Sequence, residues 1–192
     1  YSRLYIDMAY RIEKLSKFFD FNKIKTYFEI GGGFGSNIHL LVNNFSNIRK
    51  IIYLDIVPNL YVGTEYLRYY FGKHVKDYMA LKNLDKISFS KNDELEILCI
   101  PPWCIEKIYT EIDHFHNAAS FVEMPRDVIK NYVSYINKLK VKDISLISYD
   151  WGIKKYAMNP EDLNHFFDNK LNLRSEPHYI KFRKKEIFLT SN

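Results

Sequence analysis

The segment Glu29-Ile30-Gly31-Gly32-Gly33-Phe34-Gly35 constrains this chain more than any other. It follows Thr26-Tyr27-Phe28-Glu29-Ile30, a short aromatic and β-branched run that reads as a buried strand. After it, Ile38, Leu41, Val42 and Phe45 recur at helical spacing. Glycines in such a turn adopt backbone angles closed to other residues and remove the Cβ that would block a ligand. In open α/β sheets ligands sit beyond the carboxyl ends of the strands, where this turn must lie. The dinucleotide fingerprint G-x-G-x-x-G/A is not met. Counted from Gly31 its last position falls on Ser36, and counted from Gly33 it falls on Ile38. A plain structural turn is the competing reading, and the strand and helix that bracket the glycines argue against it.

The rest of the chain alternates in the same way. Leu4, Met8, Ile12, Leu15 and Phe19 form one apolar stripe, so residues 1–24 read as an N-terminal helical lid or cap on a domain spanning 25–192. Strands are expected at 51–54, 96–100, 112–116 and 144–148, with 87–89 as a further short one. Helices are expected after Pro58, Pro125 and Pro160. The tail reads as two strands, 178–182 and 186–190, joined by the basic turn Lys181, Arg183, Lys184 and Lys185. Alternating strands and helices give an α/β fold with a mainly parallel sheet and helices on both faces. A tight terminal turn makes the last pair an antiparallel hairpin.

Bulk properties narrow the function. The formal charge of +5 is mild and scattered, with one cluster at 181–185. A nucleic-acid surface would need a basic groove with interleaved aromatics, so no nucleic-acid partner is expected. Cys99 and Cys104 make neither a disulfide framework nor a zinc site, and reduced thiols fit a cytoplasmic protein. No apolar run approaches the ~20 residues of a transmembrane segment, and no signal peptide is visible. The chain begins at Tyr1, which leaves room for an upstream segment.

Individual residues then suggest a site. Asp55 ends the second strand, where an acidic side chain can accept bonds from both hydroxyls of a ribose. Pro101 and Trp103 follow the third major strand and offer a flat apolar wall. The spacing Glu29-x-Gly31-x-Gly33-x-Gly35 resembles the first motif of class I S-adenosylmethionine-dependent methyltransferases. That likeness implies a Rossmann-like fold, S-adenosylmethionine as cofactor, Gly31, Gly33 and Gly35 wrapped around its methionine end, and Glu29 anchoring its polar groups. It also implies an adenine near Pro101 and Trp103.

A second resemblance is more specific. Asp113-His114-Phe115-His116-Asn117-Ala118-Ala119-Ser120-Phe121-Val122-Glu123-Met124 resembles the fourth-strand block of a sugar O-methyltransferase family, with Asp113, Asn117, Ser120, Glu123 and Met124 matching. Asp55-Ile56-Val57-Pro58-Asn59-Leu60 is similar to that family as well. The resemblance covers roughly residues 26–150. It implies methyl transfer to a hydroxyl of a small-molecule or glycan acceptor, specifically a sugar, and leaves a homo-oligomer open. His114 and His116 stand where the family pattern has apolar residues. A hydroxyl acceptor needs a base, for which His116 and Glu123 are the candidates, with Asp113 behind them. Asn117 could orient the acceptor or the cofactor's amino group. Tyr149, Asp150 and Trp151 could line the acceptor pocket. No tight carboxylate cluster is present, so no metal is expected. The competing readings are a methyltransferase of another small molecule and a non-catalytic module that keeps the fold.

Overall fold

The computed structural model describes residues 3–149, 160–168, 170–176 and 186–191. Helix α1 (Arg3–Leu15) precedes strand β1 (Thr26–Ile30), helix α2 (Ser36–Asn44) and strand β2 (Lys50–Leu54). Helix α3 (Val57–Phe71) carries a proline in its first turn, where a missing N–H costs nothing, and ends at Gly72, whose φ of 53° and ψ of −124° suit a glycine. Then come strand β3 (Val75–Lys76), short helix α4 (Tyr78–Leu81), strand β4 (Glu96–Ile100) and strand β5 (His114–Ala118). Helix α5 (Arg126–Lys138), strand β6 (Asp143–Tyr149), short helix α6 (Pro160–Leu163), strand β7 (Asn172–Glu176) and strand β8 (Glu186–Thr190) complete the order.

The strands form one sheet in the order β3-β4-β2-β1-β5-β6-β8-β7. All pairs are parallel except β6–β8 and β8–β7. The chain winds outward from β1 in both directions, so the order reverses between β1 and β5, the crevice where such sheets bind ligands. β2 and β4 are buried along their whole length, which is why each reads as an apolar run after its first residue, Lys50 or Glu96, the two paired with each other. Alternate side chains feed two cores. Tyr27, Ile51, Tyr53 and Ile97 pack with residues of α1, α2 and α3 on one face. Phe28, Ile52, Leu98 and Phe115 pack with α5 on the other.

Three expectations shift. β5 starts at His114, not 112, and runs on to Ala118, because Asn117 and Ala118 pair with Leu146 and Ile147 of β6. The segment at 87–89 makes one isolated bridge, Ile87 to Ile108. Besides β6, β8 pairs antiparallel with Asn172–Glu176; the expected strand at 178–182 and the basic cluster at 181–185 lie outside the described residues, as do Asp150 and Trp151. Among the described residues no helix is long and apolar enough to cross a membrane.

Candidate functional site

The glycine bend leaves β1 at the carboxyl edge, and its glycines do different jobs. A Cβ on Gly31 would lie 2.1 Å from the Ser120 hydroxyl, and one on Gly35 would lie 2.9 Å from Leu67. These two let neighbouring elements close in. Gly33 has φ of +59°, a region L side chains rarely adopt, and a Cβ there would meet nothing within 4 Å. Gly33 is therefore the glycine that faces open space.

Asp55 sits directly beside it. One carboxylate oxygen accepts the Gly33 N–H at 2.7 Å, and the other accepts the Ile56 N–H at 2.7 Å, with Asn59 at 3.5 Å. A carboxylate offers about four acceptor positions, so capacity remains on the open side. Burial raises the Asp55 pKa, only partly offset by the hydrogen bonds from Gly33, Ile56 and Asn59. A buried carboxylate held this way favours a hydrogen-bond donor from a ligand.

Glu29 lies beneath the same bend. It is 2 % exposed; one oxygen accepts from the Asn37 amide at 3.1 Å, and the other is buried with no partner. Burial lifts its pKa to about 7, with Asn37 pulling it down and Asp55 pushing it up. An unpartnered acceptor of this kind fits a cationic or hydrogen-bonding group brought from outside.

Pro101 and Trp103 belong to a groove of about 260 Å³ that also takes in Val57, Leu60, Tyr61 and Met79. Pro101 follows β4 directly, and Val57 stands two residues beyond Asp55, so the groove adjoins the Asp55 end of the bend. Trp103 is 55 % exposed and meets Tyr78 edge-on at 5.9 Å. The lining is mostly apolar and aromatic, with Thr64, Glu65 and Asp77 as its polar members, which suits a flat ring bearing polar edges.

The β5 block divides by face. Asn117 donates to the Ile30 carbonyl at 2.8 Å and to the Ser120 hydroxyl, and accepts from the Phe121 N–H at 3.2 Å. Its amide thus closes β5 against β1. Ala119 takes a left-handed φ of 64° to turn Ser120 over Gly31. Glu123 is exposed in the 3-10 turn Phe121–Glu123 just beyond. His116 points to the α1 face, 3 % exposed, and its Nδ1 shares the Ser145 hydroxyl with His114 Nε2. Burial takes the His116 pKa down to about 3, Arg11 pushing the same way. His114 is packed among Phe19, Phe21 and Tyr27. Asp113 lies at the amino end of β5, far along the strand from the bend, where it accepts from Lys25 N–H, Thr26 N–H and Lys142.

The structure therefore gathers Glu29, Gly31, Gly33, Gly35, Asp55, Asn117 and Ser120 at one edge. It leaves His114, His116 and Asp113 elsewhere in the sheet. Two participants escape a sequence reading. The Tyr53 hydroxyl donates to the Gly33 carbonyl, with the Asn59 carbonyl at 3.1 Å, and Gly63 of α3 makes room for it. A glycine inside a helix costs ~1 kcal/mol relative to alanine, and that cost was the available signal. Among the described residues no three His, Cys, Asp or Glu side chains converge as a metal site would require.

No protein-family model and no curated protein sequence matches this chain. Solved structures do match it in fold. The mitomycin 7-O-methyltransferase MmcR aligns at TM-score 0.59 and 17% identity, over 90% of this chain and 50% of its own. The chain thus spans about half the length of that enzyme. Magnesium protoporphyrin IX methyltransferase from Synechocystis PCC 6803, solved with SAM bound, aligns at 0.61 and 10%, over 97% and 78%. The PH0226 protein from Pyrococcus horikoshii OT3 aligns at 0.64 and 10%, over 98% and 91%. The fold is the Rossmann-like one of these three structures, with antiparallel C-terminal strands.

Proposed function

We propose that the chain is an S-adenosylmethionine-dependent O-methyltransferase acting on a sugar hydroxyl. The observation that carries the cofactor reading is the pairing of Asp55 with the amide of Gly33, the glycine that faces open space. The residues fit the cofactor: an under-used buried carboxylate for ribose hydroxyls, an unpartnered Glu29 oxygen for the cationic amino group, and an apolar groove at Pro101 and Trp103 for the adenine. When bound, the cofactor supplies a methyl group already activated on a sulfonium. It carries no phosphate, so the N-terminus of α2 needs no anion site.

The protein's own work is alignment and proton removal. Alignment of donor and acceptor can supply ~7–11 kcal/mol. Asn117 and Ser120 hold the ends of β1 and β5 together beside the glycine bend. For the base we favour Glu123, exposed one turn beyond Ser120, over His116. An imidazole whose pKa burial has lowered to about 3 accepts a proton poorly at neutral pH.

The sugar assignment rests on the block Asp113 to Met124. A second reading, transfer to another small-molecule acceptor, is favoured by the aromatic and aliphatic side chains that dominate the Trp103 groove and by neighbours that act on mitomycin and magnesium protoporphyrin IX. Calorimetry with S-adenosylmethionine tests the cofactor, and transfer of a labelled methyl to a panel of nucleotide sugars and flat aromatic phenols separates the acceptors. With an accepted substrate, Glu123→Gln is expected to slow turnover by ~10²–10⁴-fold while cofactor affinity holds. Turnover at the wild-type rate would remove Glu123 from the role.

A further inference from the structure

We infer that Tyr53 is a positioning residue for the cofactor, holding Gly33 in its ligand-ready conformation from below. The inference rests on the reading of this bend as the cofactor site. Tyr53 is the fourth residue of β2, fully buried, two positions before Asp55. Its hydroxyl donates to the Gly33 carbonyl and reaches the Asn59 carbonyl at 3.1 Å. The Gly33 N–H is held by Asp55 at 2.7 Å. So both polar groups of the glycine of the bend that faces open space are gripped by side chains from the end of a single strand.

The grip has a built recess. Gly63 lies on the face of α3 that meets this hydroxyl, and a Cβ there would come within 2.3 Å of the Tyr53 oxygen and 3.0 Å of the Gly33 carbonyl. Burial raises the Tyr53 pKa strongly, so the hydroxyl keeps its proton and remains a donor. The chemistry explains why the grip matters. Glycine loses more conformational freedom on ordering than any other residue. A ligand that must order Gly33 spends affinity on it, while one that meets an ordered Gly33 does not. Asp55 also joins the two functions, since the carboxylate proposed for the ribose is the one that fixes the loop amide.

The test uses Tyr53→Phe, Gly63→Ala and the double variant in the whole chain. Amide hydrogen exchange in cofactor-free protein is read at residues 31–35, alongside the dissociation constant for S-adenosylhomocysteine. Tyr53→Phe should speed exchange at Gly33 and Gly35 without spreading across β2 and β4. It should weaken binding about tenfold, the scale of one lost buried hydrogen bond. Gly63→Ala presses on the same hydroxyl from α3 and should act in the same direction. Removing the hydroxyl should then restore part of what Gly63→Ala loses, so the double variant binds better than the two losses combined.

Unchanged exchange at 31–35 in Tyr53→Phe overturns the inference. So does wild-type affinity in that variant, or strictly additive losses in the double one. If the wild-type chain takes up no S-adenosylhomocysteine at all, the cofactor reading falls, and the exchange data still decide whether Tyr53 orders the bend.

Discussion

Asp55 and Asp113 are two carboxylates at strand ends, and they are built alike. Each accepts two backbone N–H groups: Gly33 and the adjoining Ile56 for one, Lys25 and Thr26 for the other. The difference is what completes them. Asp113 has the ammonium of Lys142, and although burial pushes its pKa up, Lys142 and the amides of Thr26 and Lys25 together hold it below the usual range. Asp55 has an amide at 3.5 Å in place of a cation, and burial leaves its pKa raised. Asp113 is a finished staple between β5 and β1. Asp55 is held in place yet short of partners, beside a glycine with space above it. The comparison teaches that an acidic residue at a strand end marks a site only when the structure leaves its acceptor capacity unspent.

The sharpest way to break this contrast is to remove each carboxylate. Asp55→Ala should weaken S-adenosylhomocysteine binding by on the order of 100-fold, because hydrogen bonds to a charged group are worth ~1.5–3 kcal/mol each. Asp113→Ala should leave that affinity nearly untouched and lower unfolding stability by ~2 kcal/mol, for the same reason turned inward. Calorimetry and urea denaturation read the two effects, and equal binding losses in both variants would erase the distinction.

A smaller effect separates the glycines. Gly33→Ala should lose cofactor affinity with a modest stability cost of ~1–2 kcal/mol from its left-handed φ. Gly31→Ala should cost more stability, since its Cβ runs into Ser120. Thermal melts beside binding curves decide this, and a reversed order would mean that Gly33, not Gly31, is the packing glycine.

The smallest effect lies in pH. The folded pKa of Asp113 is depressed from 3.8, so its contribution is present above that value and fades as pH falls through the lower folded pKa. The folded pKa of Asp55 is raised from 3.8, so stability linked to it is greatest below 3.8 and fades as pH rises through the higher folded pKa. Stability of wild type relative to Asp113→Asn should therefore drop in acid, while stability relative to Asp55→Asn should drop on going from acid to neutral pH. Denaturation midpoints collected across that range would show opposite slopes, and parallel slopes would contradict the assigned environments.

Much of this edge was legible in the sequence, for local reasons. The strand before the glycines, the helix after them and Asp55 at the next strand end each follow from apolar runs and turn residues close in the chain. The internal division of labour was not legible. Gly31, Gly33 and Gly35 look equivalent until Ser120 and Leu67 arrive from distant elements. Tyr53 reads as core because it stands in an apolar strand, and only the approach of α3 gives its hydroxyl two carbonyls. His116 offered the right chemistry for a base, but alternation along β5 turns it toward α1 and the Ser145 hydroxyl. Strand limits slipped where a polar and a small residue carry the pairing, as at Asn117 and Ala118 against β6.

The most direct measurement is a crystal structure of the chain soaked with S-adenosylhomocysteine. The account expects the ribose hydroxyls on Asp55, the adenine in the groove of Pro101 and Trp103, and the amino group within reach of Glu29. Density for the ligand in the cleft lined by Ile105, Tyr109 and Tyr135 instead, with Asp55 still bonded only within the chain, would contradict it.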